Sequence, residues 1–150
     1  MRYWLVKSEA DVYSLEDLKR DKKTHWHGVR NYQARNYLKD MKKGDRVAYY
    51  HSNCEVPGIV GTAVVVKEAY PDPSQFEESS DFFDKKSSIQ EPRWYCSDIK
   101  FEGKFAHAVA LDMLKSLAVF KDSQLTKRGN RLSVLPLTGA QFAAIERAAR

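Results

Sequence analysis

The stretch from Arg46 to Tyr70 constrains the fold more than any other. RVAYYHS (46–52) and GIVGTAVVVKEAY (58–70) are rich in β-branched and aromatic residues and bracket the turn-forming NCEVPG. Two such runs around a Gly/Pro/Asn turn predict a β-hairpin, which commits the chain to an antiparallel sheet.

The remaining segments add to that sheet. RYWLVKS (2–8) reads as a strand with Trp4, Val6 and Ser8 on one face and Tyr3, Leu5 and Lys7 on the other. RWYCSDIKFEGKFAHAV (93–109) reads as a strand pair or one bent strand, and RLSVLP (131–136) as a last strand. Helices fall between them. Ser14 with Asp17 forms a capping box ahead of Leu15 and Leu18, and Thr138 with Gln141 forms a second one opening GAQFAAIERAAR. Ala34, Tyr37, Leu38 and Met41 follow helical spacing, so a helix should start at the N-cap Asn31 and stop at Gly44. LDMLKSL (111–117) is a short helix, and residues 71–92, with three prolines among acids and serines, are a long polar loop. No βαβ alternation and no repeat occurs. The expected class is α+β, one domain over residues 1–150, built on a small curved sheet or barrel.

Composition narrows the function. A net charge of +5 is unevenly spread: residues 19–46 hold ten Lys/Arg against three Asp/Glu, whereas residues 70–91 hold six Asp/Glu against two Lys. A basic face of this kind fits a polyanionic partner, nucleic acid first. The sequence contains no run of the roughly 18 apolar residues a membrane helix needs, and Met1 leads straight into a strand, so an intracellular protein with reduced Cys54 and Cys96 is expected.

Three chemistries compete. A metal site would need more than His25 and His27 around Trp26, because no CxxC, HxxxH or HExxH accompanies them. Thiol catalysis could draw on His51 and Cys54 in YHSNC, but no nucleophile elbow surrounds them. Recognition of a planar group fits best. Trp4, Trp26, Tyr32, Tyr49, Tyr50 and Trp94 lie beside polar groups able to read a ring edge, among them Ser8, Asn31, Ser52 and Asn53. Trp4 and Tyr37 are expected in the core. Trp26, in a segment poor in other apolar residues, is expected to contact ligand.

Taken together, YWLVKSE, WHGVRNYQARNYL from Trp26, YYHSNCEVPGIVGTAVVVKEAYPD from Tyr49, PRWYCSDIKF from Pro92 and RLSVLPLT from Arg131 resemble the EVE domain family across nearly the whole chain. The resemblance implies a PUA-like fold, a small, highly curved β-barrel surrounded by short helices, related to PUA, ASCH and YTH domains. It also implies a non-catalytic reader of modified bases in DNA or RNA, with modified cytosine foremost. Trp26 would be a wall of an aromatic cage. Gly28, Val29, Arg30, Asn31 and Tyr32 would supply groups at the start of the following helix. Tyr50, His51, Ser52 and Asn53 would form the facing strand, Lys7 and Ser8 the end of the first strand, and Phe76 a lid. Where the family commonly has proline after KSE, this chain has Ala10.

The mechanism expected from these readings is base flipping. Arg20, Lys22, Lys23, Arg30, Arg35, Lys39, Lys42, Lys43 and Arg46 would attract phosphates while one base stacks on Trp26. No cofactor and no metal is implied, and a monomer is expected, in the cytoplasm of a bacterium or the nucleus of a eukaryote. The alternatives are a sensor of free nucleosides or metabolites, and an enzyme of modified-base metabolism using His51 or Cys54.

Overall fold

A computed structural model describes all 150 residues. Six strands and four helices follow in the order β1 (Tyr3–Glu9), α1 (Leu15–Asp21), β2 (Lys23–Trp26), α2 (Tyr32–Asp40), β3 (Arg46–Ser52), β4 (Gly58–Pro71), β5 (Tyr95–Ala110), α3 (Leu111–Ser116), β6 (Val134–Leu137) and α4 (Gly139–Ala148). The strands form one mixed sheet in the order β2-β5-β4-β3-β1-β6. Only β1 and β3 run parallel, with Tyr3 opposite Arg46 and Ser8 opposite His51.

The hairpin is β3–β4, and the second long run is one strand, β5, of 16 residues. Register shifts recur along β4–β5, between Ile59 and Gly61 and again at Thr62/Ala63, Val65/Lys67 and Lys67/Tyr70. Each such bulge adds twist and bends the strand, which curves the sheet. Gly61 sits at one of them because a Cβ there would run into the Gly103 carbonyl and the Leu15 side chain. The class is α+β as expected, but the ladder does not close into a barrel. Its edges, β2 and β6, are four residues each and do not pair with one another.

One core of 29 buried residues runs under the sheet. Trp4, Leu5 and Val6 supply it from β1, Leu15 and Leu18 from α1, Ala34 and Leu38 from α2, and Phe142 and Ile145 from α4. Both capping boxes form. Asn31 caps α2 by accepting from the Ala34 amide at 2.9 Å, and the helix ends at Asp40, because Met41 is already extended. Gly44, at φ +94°, belongs to the turn beyond rather than to the helix end. No helix is long and apolar enough to cross a membrane.

Residues 71–92 are a loop, yet a braced one. Pro73–Phe76 form a single 3₁₀ turn. Fully buried Gln75 donates from Nε2 to the carbonyls of Asp72 and Trp94, both at 2.7 Å, while its Oε1 accepts from the Trp94 amide at 3.0 Å. The indole Nε1 of Trp94 donates to Asp84 at 2.8 Å. These bonds fix the loop against the segment that leads into β5.

Candidate nucleic-acid interface

The end of β2, the turn after it and the C-terminal end of β1 enclose a cavity of about 400 Å³, within the roughly 300–1,000 Å³ of small-ligand pockets. Thr24, His25 and Trp26 line it from β2, and His27 to Arg30 from the turn. Lys7 and Ser8 line it from β1, Val12 and Tyr13 from the segment beyond, Ser133 from ahead of β6, and Phe82 from the braced loop. Trp26 is 8% exposed and meets Tyr49 edge-on at 5.5 Å between ring centroids. It belongs to both the core and the cavity wall.

Phe82 stands where it does because Gly28 has no side chain. Gly28 has φ +81°, and a Cβ there would lie 2.7 Å from Phe82 Cζ. The ring also meets His27 edge-on at 5.6 Å. Arg30 fixes the same segment, donating from Nη2 and Nε to the Phe82 carbonyl at 2.7 and 3.1 Å. A column of cations and rings backs it. Arg35 lies 4.8 Å over Tyr32, Tyr32 stacks on Trp94 at 4.8 Å, and Arg30 lies 5.3 Å from the Trp94 ring and 5.5 Å from that of Phe82.

Asp72 ties the turn to the loop. It is fully buried, and accepts from the Gly28 amide at 2.8 Å, from Arg30 at 3.2 Å, and from the amide and hydroxyl of Ser74. Burial pushes its carboxyl up. The Ser74 hydroxyl, the Gly28 and Ser74 amides and Arg30 together outweigh burial and hold it below the usual carboxylate range.

Of the residues singled out from sequence, Lys7, Ser8, Trp26, Gly28, Val29 and Arg30 meet in this cavity. Asn31, Tyr32, Tyr50, His51, Ser52, Asn53 and Phe76 do not line it. Asn31 is occupied as the helix cap and Tyr32 is stacked on Trp94. His51 accepts the Leu15 amide on Nε2 at 3.1 Å, and burial pulls its pKa down. Cys54 is exposed, its Sγ 3.8 Å from the His51 carbonyl, and Cys96 is buried, its thiol pushed up to about 12 by that burial. No three His, Cys, Asp or Glu residues converge as a metal-binding group.

The basic residues scatter. Arg20 pairs with Asp17 and Asp21, Arg30 with Asp72, and Lys42 with Glu68. Arg46 is held by Glu102 at 2.6 Å and by Glu146 at 3.4 Å, over the Phe142 ring. Arg35 lies over Tyr32 and Lys39 over Tyr95. Lys22 and Lys23 line a different cleft, with Asp21 and Asp98. Sequence reasoning missed Val12, Tyr13, Thr24, Phe82 and Ser133 on the cavity wall, and Asp72 behind it. A Phe-Phe pair inside an acidic, serine-rich loop was the one available signal for Phe82.

The open, bulged mixed sheet with its four helices is shared with EVE and YTH-like domains of known structure. A yeast YTH domain from Zygosaccharomyces rouxii shares the fold at TM-score 0.55 and 12% identity, over 99% of this chain and 86% of that one. The EVE domain family model matches residues 2–148, and the chain belongs to that family. Mouse thymocyte nuclear protein 1 is 42% identical over 93% of this chain and 70% of its own length. A Pseudomonas syringae protein of known crystal structure is 43% identical at TM-score 0.95, covering 99% of both chains. The human THYN1 protein, crystallised with DNA containing 5-methylcytosine, is 38% identical at TM-score 0.95, over all of this chain and 98% of that one.

Proposed function

We propose that this chain is a non-catalytic reader that binds nucleic acid carrying a modified base, 5-methylcytosine or a related cytosine foremost, by taking the flipped base into the cavity beneath Phe82. The observation that carries the reading is the likeness to the human THYN1 protein, whose structure contains 5-methylcytosine DNA. The cavity's own chemistry supports it. Trp26, Phe82 and the imidazoles of His25 and His27 offer faces and edges to a flat ring. Ser8, Thr24 and Ser133, all on the cavity wall, offer the hydroxyls that could pair with its edge. Stacking on aromatic side chains is worth about 1–3 kcal/mol per base. A methyl group buried against this wall adds on the order of 1 kcal/mol, about a fivefold preference.

No covalent step enters this reading. His51 already accepts a backbone amide through Nε2, and the Cys54 thiol meets the His51 carbonyl, 3.8 Å away.

The test is a binding series with oligonucleotides that differ by one modified base. The wild-type chain should prefer 5-methylcytosine over cytosine, and Trp26→Ala and Phe82→Ala should each lose that preference. A wild-type chain that bound both oligonucleotides equally would overturn the assignment.

A further inference from the structure

On the other side of Lys7 from the base cavity lies a second cleft, of about 510 Å³, between β1, β3, α3 and the segment ahead of β6. Lys7, Lys115, Lys127 and Arg128 line it, and no carboxylate does. None of the four forms an ion pair, whereas Arg20, Arg30, Lys42, Arg46 and Lys104 all do. The cleft that holds Lys22 and Lys23 differs, since Asp21 and Asp98 stand among its lysines.

Asn130 supplies a second, independent observation. Its Oδ1 accepts the Leu132 amide at 2.9 Å, which fixes the amide's orientation. Its Nδ2 is buried and finds no acceptor, the sole side-chain polar atom in the molecule in that condition. A buried donor without a partner is unfavourable in a folded protein and calls for an acceptor from outside. Lys7 lines both clefts, with its ammonium 5.3 Å from the Tyr50 ring, and burial lowers its pKa. An anion beside it would offset that desolvation.

We propose that this cleft seats the backbone phosphate next to the flipped base, with Lys7, Lys115, Lys127 and Arg128 supplying the charge and drawing a phosphate oxygen against Asn130, whose buried Nδ2 shifts outward to donate to it. The proposal rests on the base-reading assignment for which nucleotide is involved, but the cleft's own chemistry asks only for a phosphodiester. It moves the phosphate contacts away from the 19–46 segment. Arg46 stands opposite Tyr3, four strand positions before Lys7, roughly 13 Å along β1.

The test is the salt dependence of binding to an oligonucleotide with one 5-methylcytosine and to its unmodified counterpart. Lys127→Ala/Arg128→Ala should lower the slope of log affinity against log salt by about 1, since the cleft seats one phosphate and each phosphate contact contributes about 0.9 on duplex DNA. The ratio between the two oligonucleotides should stay as in the wild type. Lys42→Ala/Lys43→Ala should leave the slope unchanged. Asn130→Asp keeps the acceptor for Leu132 but sets a carboxylate against the phosphate, and should weaken both oligonucleotides about tenfold. An unchanged slope in Lys127→Ala/Arg128→Ala, an equal fall in Lys42→Ala/Lys43→Ala, or wild-type affinity in Asn130→Asp would overturn the cleft assignment. If the wild type bound both oligonucleotides alike while Lys127→Ala/Arg128→Ala still lowered the slope, the base reading would fall and the cleft would stand. Failure of the wild type to bind either would overturn both.

Discussion

Two buried aspartates clamp different parts of this molecule in the same way. Asp45 is 3% exposed and accepts from the Trp4 indole at 2.9 Å and from the amides of Arg2 and Lys42. Asp72 is fully buried and accepts from Gly28, Arg30 and Ser74. In both, burial pushes the carboxyl up and hydrogen bonds to the anion more than reverse it. The difference is in what each one fixes. Asp45 locks the core tryptophan at the start of β1, where the groups around it have no free face. Asp72 locks the glycine turn and the arginine that hold Phe82 over the cavity. A buried carboxylate is thus a structural clamp in one place and a site-building one in another, and substitution separates the two roles.

The largest effect is expected at Asp72. Asp72→Ala removes the carboxylate paired with the Arg30 guanidinium and leaves the Gly28 amide without its acceptor, and breaking a buried pair from one side costs about 3–5 kcal/mol. Denaturant unfolding should show that loss, and modified-base discrimination should vanish under conditions where the protein is still folded. Asp45→Ala strands the Trp4 indole and two amides, at about 2–4 kcal/mol. Here the stability falls, but the folded fraction should discriminate bases as the wild type does. If Asp45→Ala abolished discrimination in folded protein, the division between the two clamps would fail.

Gly28→Ala is a smaller perturbation on the Asp72 side. A side chain at φ +81° costs about 1–2 kcal/mol, and its Cβ would collide with the Phe82 ring. Phe82 is 38% exposed and can swing outward. The expected outcome is a modest drop in thermal stability with a disproportionate loss of modified-base affinity. Equal losses of affinity for modified and unmodified DNA would show that Phe82 does not cover the base.

The fold was more legible than the site, for a physical reason. Strand and helix positions follow from periodicity and caps that lie within a few residues of one another, so Ser14/Asp17, Thr138/Gln141 and the Asn31 cap are all where the sequence puts them. The short strand β2 escaped, because KTHW shows no alternation and is a strand only through pairing with β5. At the site, Trp26 and the residues from Gly28 to Arg30 were visible as an odd local cluster. Phe82 and Asp72 were not, because they are brought there from 44 and more positions away by hydrogen bonds to Gly28 and Arg30. The carboxylate partners of the basic residues were hidden for a related reason. Charge counted along the chain does not reveal which lysines already face a carboxylate, and Arg46 is held by residues 56 and 100 positions away. Barrel closure likewise depends on whether edges β2 and β6 meet, which no local pattern encodes.

The smallest effect tests a third polar anchor, His51, against the two aspartates. Its Nε2 accepts the Leu15 amide at the start of α1, the ring meets Tyr49 edge-on at 5.8 Å, and burial lowers its pKa from 6.5. The unfolded chain therefore takes up this proton more readily than the folded one. The stability His51 contributes is present above about pH 6.5 and is lost as pH falls below that value toward the folded pKa. Asp45 and Asp72 are held below 3.8 and remain ionised throughout this range, so they add no slope to it. His51→Gln can still accept the Leu15 amide through Oε1 but cannot be protonated. Melting temperatures should put the wild type at or slightly above His51→Gln near pH 8, and the gap should close or reverse by about pH 5, a change of under about 1 kcal/mol. A gap that stayed constant with pH would mean that the Leu15 amide does not hold His51 neutral, leaving the two carboxylates as the anchors whose charge the fold controls.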